Sequence, residues 1–282
     1  GMFILIIFVP FFLTIYISLM KWRASRPFEQ ARFAGLENYA TVLASEQFWE
    51  ALGRTFYFSG VAVFLELAIG FVLAMLVHRT TRFKKLYTTI FLIPMMIVPI
   101  VVGYNFSMIY IDSGPLNQIL APFLERFGID PRIRWLSHPV AAQWAIILSD
   151  VWQWTSLTFL IFLSGFSSLP QQLINAARVM GASPWQTFWR VQLPLLKPAI
   201  VIAVIIRSME ALKMFDPVVL LTFGGPGTST QTVAYYLWEQ VWVFNKISFG
   251  AAASILLLLL FAFLIFFGIY TLIRQHAAVQ AR

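Results

Sequence analysis

Residues 169–198 read LPQQLINAARVMGASPWQTFWRVQLPLLKP. The stretch separates two long apolar runs, Val140–Leu163 and Leu195–Phe215, and is too long and too amphipathic to be a simple connector. A helix can start after Pro170 and run through Ala176 and Ala177 to about Met180. Gly181 then supplies the backbone freedom for a sharp turn. Ser183 before Pro184 suits a second helix start, with a hydroxyl cap followed by proline in the first turn. That helix would carry Trp185, Phe188, Trp189 and Val191, and Pro194 and Pro198 mark entry to the next run. Small residues at Ala176, Ala177, Gly181 and Ala182 allow another surface to approach the backbone closely.

Outward from this elbow the chain is apolar almost throughout. Of its 282 residues, 60% are hydrophobic and 11% charged, which no soluble domain of this size could bury. Lipid offers no water to unpaired backbone groups, so only helices or closed barrels can span it. The runs are continuous and about 20 residues long, matching helices across a hydrocarbon core of about 30 Å. Six are expected: Met2–Met20, Thr55–Val77, Leu86–Tyr110, Val140–Leu163, Leu195–Phe215 and Phe249–Ile273. The first starts almost at residue 1 without a basic flank or a small-residue cleavage site, unlike a signal peptide. A short native segment is expected to precede it. The expected architecture is all-α and integral to the membrane, with residues 1–282 as one domain, a core over 55–275 and the elbow over 164–197.

Charge placement bears on orientation. With six spans, one side carries Arg79, Arg82, Lys84, Lys85, Arg178, Arg190, Lys197, Arg274 and Arg282, and no acid. The other carries Lys21, Arg23, Arg26 and Arg32 among as many basic residues, together with acids such as Glu29, Glu37, Asp112 and Glu239. Counting Lys and Arg alone does not choose between the sides. The dense His78–Lys85 cluster against two helix ends places the acid-free side, and both termini, in the cytoplasm. The net charge of +8 is therefore a topology signal, not a nucleic-acid signal. The absence of Cys excludes disulfides and thiolate metal sites.

The elbow resembles the EAA loop of ABC importer permeases, whose pattern runs E-A-A-x-x-x-G-A, then an aromatic, then L-P. Here Asn175-Ala176-Ala177, Gly181-Ala182, Phe188 and Leu193-Pro194 stand at that spacing. Gly114-Pro115-Leu116-Asn117, Trp152-Gln153-Trp154, and Thr222 before Gly224-Gly225-Pro226-Gly227 resemble further pieces of the pattern in the same order. Together with Phe249–Ser254 they are similar to the subgroup importing sugars, polyols and glycerol phosphate. The resemblance implies a type I importer permease in a bacterial cytoplasmic membrane. It implies that Asn175, Ala176, Ala177, Gly181, Ala182, Ser183, Pro184 and Phe188 couple to an ATP-binding subunit. Implied partners are a second permease, two ATP-binding subunits, an external solute-binding protein, a carbohydrate and membrane lipid. Asn175 stands where the pattern has Glu, and Met180 where many members have Asp. Asn can hydrogen-bond but cannot form an ion pair. Without the resemblance, the second helix would read as an interfacial one with aromatic anchors.

No G-x-x-x-x-G-K-[ST] phosphate loop occurs, so ATP and Mg belong on partner subunits and this chain is expected to bind no cofactor. No metal-ligating cluster and no nucleophile–base pair occurs, so no catalytic residue is assigned. A stand-alone secondary transporter would predict inverted repeats, and none is evident. A membrane scaffold would not require charges inside the spans.

Ionisable groups within spans are costly and functional by default. The stretch Arg207–Asp216 holds Arg207, Glu210 and Met214 on about one helical face, with Lys213 beside Glu210 at i+3. The resemblance implies substrate contacts at Arg207, Ala211 and Met214, or at Ser208 and Leu212 with one residue of slippage. An internal Arg207–Glu210–Lys213 network fixing helix packing is the structural alternative. Gln153 and Trp154 match a site-lining stretch by the same resemblance, and an aromatic face beside an amide suits a sugar ring. Glu66, in the second run, is expected to hydrogen-bond a partner helix. Two cations near the pathway leave an anionic carbohydrate derivative open as the alternative substrate.

Overall fold

The computed structural model describes residues 2–80, 82–128, 130 and 132–280, without the side chains of 2–5, 267 and 269–280. Arg274 and Arg282, and both termini with their expected cytoplasmic placement, fall outside the described residues or side chains. In chain order the helices are α1 (Met2–Ser18), α2 (Glu37–Leu43), α3 (Glu46–Arg79), α4 (Lys84–Met96), α5 (Pro99–Tyr110) and α6 (Pro115–Arg126). There follow α7 (Pro139–Ser167), α8 (Gln171–Val179), α9 (Pro184–Thr187), α10 (Leu193–Ala211), α11 (Asp216–Leu221), α12 (Val233–Trp238) and α13 (Ile247–Gln280). Two short strands, β1 (Met20–Lys21) and β2 (Arg32–Phe33), pair antiparallel.

Contacts divide the chain into two compact units. One comprises Gly1–Thr55 with Gln231–Arg282, the other Phe56–Thr230. In the first, α1 and α2 pack on α13. Its core gathers Phe48, Ala51 and Leu52 with Val233, Tyr236, Ala252 and Leu257. The Arg54 Nε donates to the Gln231 carbonyl at 3.0 Å, and Thr55 Oγ1 accepts from the Val233 amide at 2.8 Å. In the second, α4 and α10 both pack on α7, and α11 packs on α5 and α7.

Among the described residues, four helices are long and apolar enough to span: Glu46–Arg79, Pro139–Ser167, Pro184–Ala211 and Ile247–Phe266. A shorter apolar helix covers Ile6–Ser18. The expected third span, Leu86–Tyr110, is not one helix. It is a broken pair, Lys84–Met96 and Pro99–Arg126, meeting at 94°. Proline explains the break: Pro94 lies inside α4, and Pro99 forces Val98 into extended backbone (φ −61°, ψ 136°). Non-helical backbone at membrane depth must find partners inside the protein. Here the Gln153 amide donates to the freed Ile97 carbonyl at 3.0 Å.

Small residues set the approach of α3 and α7. A Cβ on Gly70 would meet Thr158 Oγ1 at 2.1 Å. That hydroxyl donates across the contact to the Glu66 carbonyl at 2.8 Å. Lipid supplies no hydrophobic force between helices, so such backbone proximity carries the packing. Replacing Gly70 with valine should destabilise the second unit by about 1–3 kcal/mol, the usual cost of overpacking. A melting curve in detergent, read by fluorescence-detected size exclusion, should show the midpoint falling by several degrees. An unchanged midpoint would contradict this contact.

Candidate functional site

The elbow folds as its sequence suggests, with one change. The helix α8 ends in a Schellman arrangement: the Ala182 amide donates to Ala177 O and the Gly181 amide to Arg178 O, both at 3.0 Å. Gly181 sits at φ +81°, where a side chain would be strained. Ser183 then starts α9 with a full capping box, its hydroxyl accepting from the Gln186 amide while Gln186 Oε1 accepts from the Ser183 amide. The change lies at Phe188–Gln192, which forms a π-helical turn running directly into α10. Pro194 cannot donate to the carbonyl four residues back and its ring crowds that carbonyl. A wider turn before it relieves the conflict. The second short helix and the span are therefore one continuous element, Pro184–Ala211.

One face of the elbow is held and the other is left open. Ile174 and Ala177 are buried, Ile174 in a core with Phe166, Leu169 and Leu196. Phe188 is half-buried, its ring 6.2 Å from that of Phe71 on α3. Asn175, Ala176, Gly181, Ser183 and Pro184 are exposed, and Ala182 is half-buried. Around them Val179, Met180 and Trp185 are 88%, 80% and 69% exposed, large apolar side chains without cover among the described residues.

The second locus lies among α3, α7 and α10. The Arg207 guanidinium is buried (1% exposed) and donates from Nε and Nη2 to the two oxygens of Glu66, the Nη2 bond being 2.7 Å. The same Nη2 reaches Asp150 Oδ2 at 3.0 Å. Its flat face lies over the Trp154 ring, 5.2 Å from the centroid. One guanidinium thus ties three helices. The expected Arg207–Glu210–Lys213 network does not form as drawn. Arg207 pairs with Glu66 and Asp150, and Lys213 pairs separately with Glu210 at 2.9 Å, both exposed. The helix also ends at Ala211, so Lys213 and Met214 lie in the turn before α11 and not on a helical face. Glu66 meets its expected partner helix through charge.

Beside this cluster opens a cavity of about 260 Å³. Gln153, Trp154, Arg207, Glu210, Lys213 and Met214 all line it, so residues far apart in sequence are brought together. Ala211 does not. It is buried, and its carbonyl accepts from Ser59 at 2.7 Å. Ser208 and Leu212 are likewise not among the lining residues. Asp150, Asp216, Pro217 and Pro99 line the cavity without having been singled out for it. Trp152 points elsewhere, edge-on to Phe106 with centroids 5.4 Å apart. Asn117, in the Gly114–Asn117 pattern, donates to the Asp112 and Ile133 carbonyls and accepts from Trp135, so it ties a loop together.

Residues 66–278 match the family described as the binding-protein-dependent transport system inner membrane component. The chain belongs to this family. It is a multi-pass membrane permease. The trehalose/maltose transport system permease protein MalF of Thermococcus litoralis is 34% identical over 251 residues, covering 89% of this chain and 82% of the relative. The trehalose transport system permease protein SugA of Mycobacterium tuberculosis is 32% identical over 248 residues, covering 88% and 77%. A bacterial ABC transporter involved in the import of alginate shares the fold at a TM-score of 0.81, with 23% identity over 96% of this chain and 91% of the other.

Removing Arg207 would leave two buried carboxylates uncompensated. Arg207→Ala should cost about 3–5 kcal/mol, as breaking a buried ion pair does. Arg207→Lys should recover little, because an ammonium cannot fork to two carboxylates. Both variants should reach the membrane at a small fraction of the parental level by quantitative immunoblot. Wild-type levels of the alanine variant would refute the structural role of the cluster.

Proposed function

We propose that this permease carries a carbohydrate through the membrane as one subunit of an ATP-driven, binding-protein-dependent importer. Family membership supports the transport role, and relatives named for trehalose and maltose support the substrate class. On this reading residues 1–282 act as one permease, paired with a second, related permease. Two further subunits bind and hydrolyse ATP with Mg, and an external solute-binding protein delivers the substrate. The chain itself performs no covalent chemistry and holds no cofactor.

The observation that carries the coupling role is the elbow. The end of α8 and the short capped helix α9 together present exposed Val179, Met180 and Trp185 as an apolar knob of the kind that seats in a cleft on a partner. The acid-free side, with Arg79, Lys84, Lys85 and Arg178, is then cytoplasmic, where ATP is. Closure of the ATP-binding pair moves the elbow, and α10 carries that motion to the cavity around Trp154 and Arg207. The cavity is the substrate pathway within the membrane, opened alternately to either side.

Gly181 tests this. Replacing it with leucine strains a backbone turn at φ +81° without filling any occupied space. The complex should assemble, and ATP hydrolysis should continue. Uptake in proteoliposomes should drop by tenfold or more, because the knob is misaimed. Normal uptake by that variant would remove the elbow from coupling. Purification from native membrane should bring down an ATP-binding subunit; uptake driven by an ion gradient without one would refute the importer reading.

A further inference from the structure

The charges around the cavity are unequal, and their pairing says which carbohydrates it admits. Its lining includes two cations, Arg207 and Lys213, and three carboxylates, Asp150, Glu210 and Asp216. Both cations already have carboxylate partners. Arg207 is 1% exposed and already shared between Asp150 and Glu66, the latter a fourth carboxylate just behind the wall. Lys213 is held by Glu210 at 2.9 Å. Asp216 is exposed and has no ion-pair partner among the described residues. The surplus at the wall is therefore negative and sits on acceptor oxygens. Ionised carboxylates accept hydrogen bonds and donate none. A hydroxyl-rich ligand can donate to them, and a ligand carboxylate or phosphate meets like charge at short range.

We infer that this cavity selects carbohydrates without negative charge, that it excludes uronates, sulfonates and phosphate esters, and that Asp216 is its specificity-determining residue. The inference rests on the cavity being the substrate pathway of a carbohydrate importer. Asp216 is presented at the start of α11, one residue before Pro217, where fixed backbone holds its carboxylate at the cavity edge. Trp154 supplies the apolar face for a sugar ring, and Gln153, already engaged at Ile97, keeps the adjoining wall in place. Arg207, which in isolation suggests an anion site, is instead consumed in structure.

The experiment uses the importer assembled with its own partner subunits and binding protein in proteoliposomes. ATP-dependent uptake is measured for a panel of labelled matched pairs: glucose and glucuronate, galactose and galacturonate, trehalose and trehalose 6-phosphate, maltose and maltobionate, glycerol and glycerol 3-phosphate. Uptake confined to uncharged members is the expected result. Uptake of any anionic member at a rate within tenfold of its neutral twin overturns the inference and leaves the carbohydrate reading standing. No ATP-dependent uptake of any member overturns that underlying reading instead. Two substitutions then locate the selectivity, with rates normalised to assembled complex. Asp216→Asn keeps an acceptor oxygen and should retain at least a third of the uptake of the neutral substrate. Asp216→Lys places a free cation at the edge and should lose tenfold or more of it. Equal uptake by both variants and the parent would remove Asp216 from the site.

Discussion

A single guanidinium shared by Glu66 and Asp150 sets the terms for the rest of the second unit. An arginine cannot shed its proton, so burying it beside lipid demands counter-charge in fixed geometry. Two carboxylates from two other helices meet that demand, and α3, α7 and α10 must therefore keep one mutual register. The close approach at Gly70 and Thr158 agrees with the same register, as does the fit of Gly165 against Ala199. A buried ion cluster of this sort is a poor source of net stability, yet loss of one partner leaves the others as uncompensated buried charge.

The cavity follows from that arrangement. Once Arg207 is occupied, its flat face is free only to stack on Trp154, which turns the indole toward the opening. The broken span contributes the opposite wall through Pro99, and Gln153 connects the break to α7. Polar backbone exposed by a helix interruption is tolerated in membranes where it faces protein or a water-filled space. The interruption and the cavity are thus one feature seen from two sides.

Much of this was legible in the chain itself. The apolar runs marked the approximate place of the spans, of which the described residues hold four, or five with the broken pair counted as one. The elbow could be read almost residue by residue, because its caps are local: Gly181 and Ser183 act within a few positions. What escaped was of two kinds. The pairing of Arg207 with a carboxylate 141 positions away depends on which helices become neighbours, and a single sequence does not carry that information. A usable clue was present nonetheless, since Glu66 and Asp150 are acids within apolar runs and an arginine in such surroundings must find partners. The break after Met96 was hidden by unbroken hydrophobicity, although Pro94 and Pro99 marked it. Asp216 closes the charged stretch Arg207–Asp216, but its place on the cavity depends on α10 ending at Ala211, short of the expected end at Phe215.

The continuous element Pro184–Ala211 has a mechanical consequence. Its 28 residues make a shaft about 40 Å long at 1.5 Å per residue. One end is a knob of exposed aromatic and aliphatic side chains, and the other carries Arg207 on its last turns. A hinge between the two would absorb displacement, and a loop in place of the π turn would provide that hinge. The extra residue per turn at Phe188–Gln192 instead keeps the hydrogen-bonded column intact past the prolines. The shaft therefore joins the exposed aromatic side chains at one end to the Arg207 ion cluster at the other through one uninterrupted helical column.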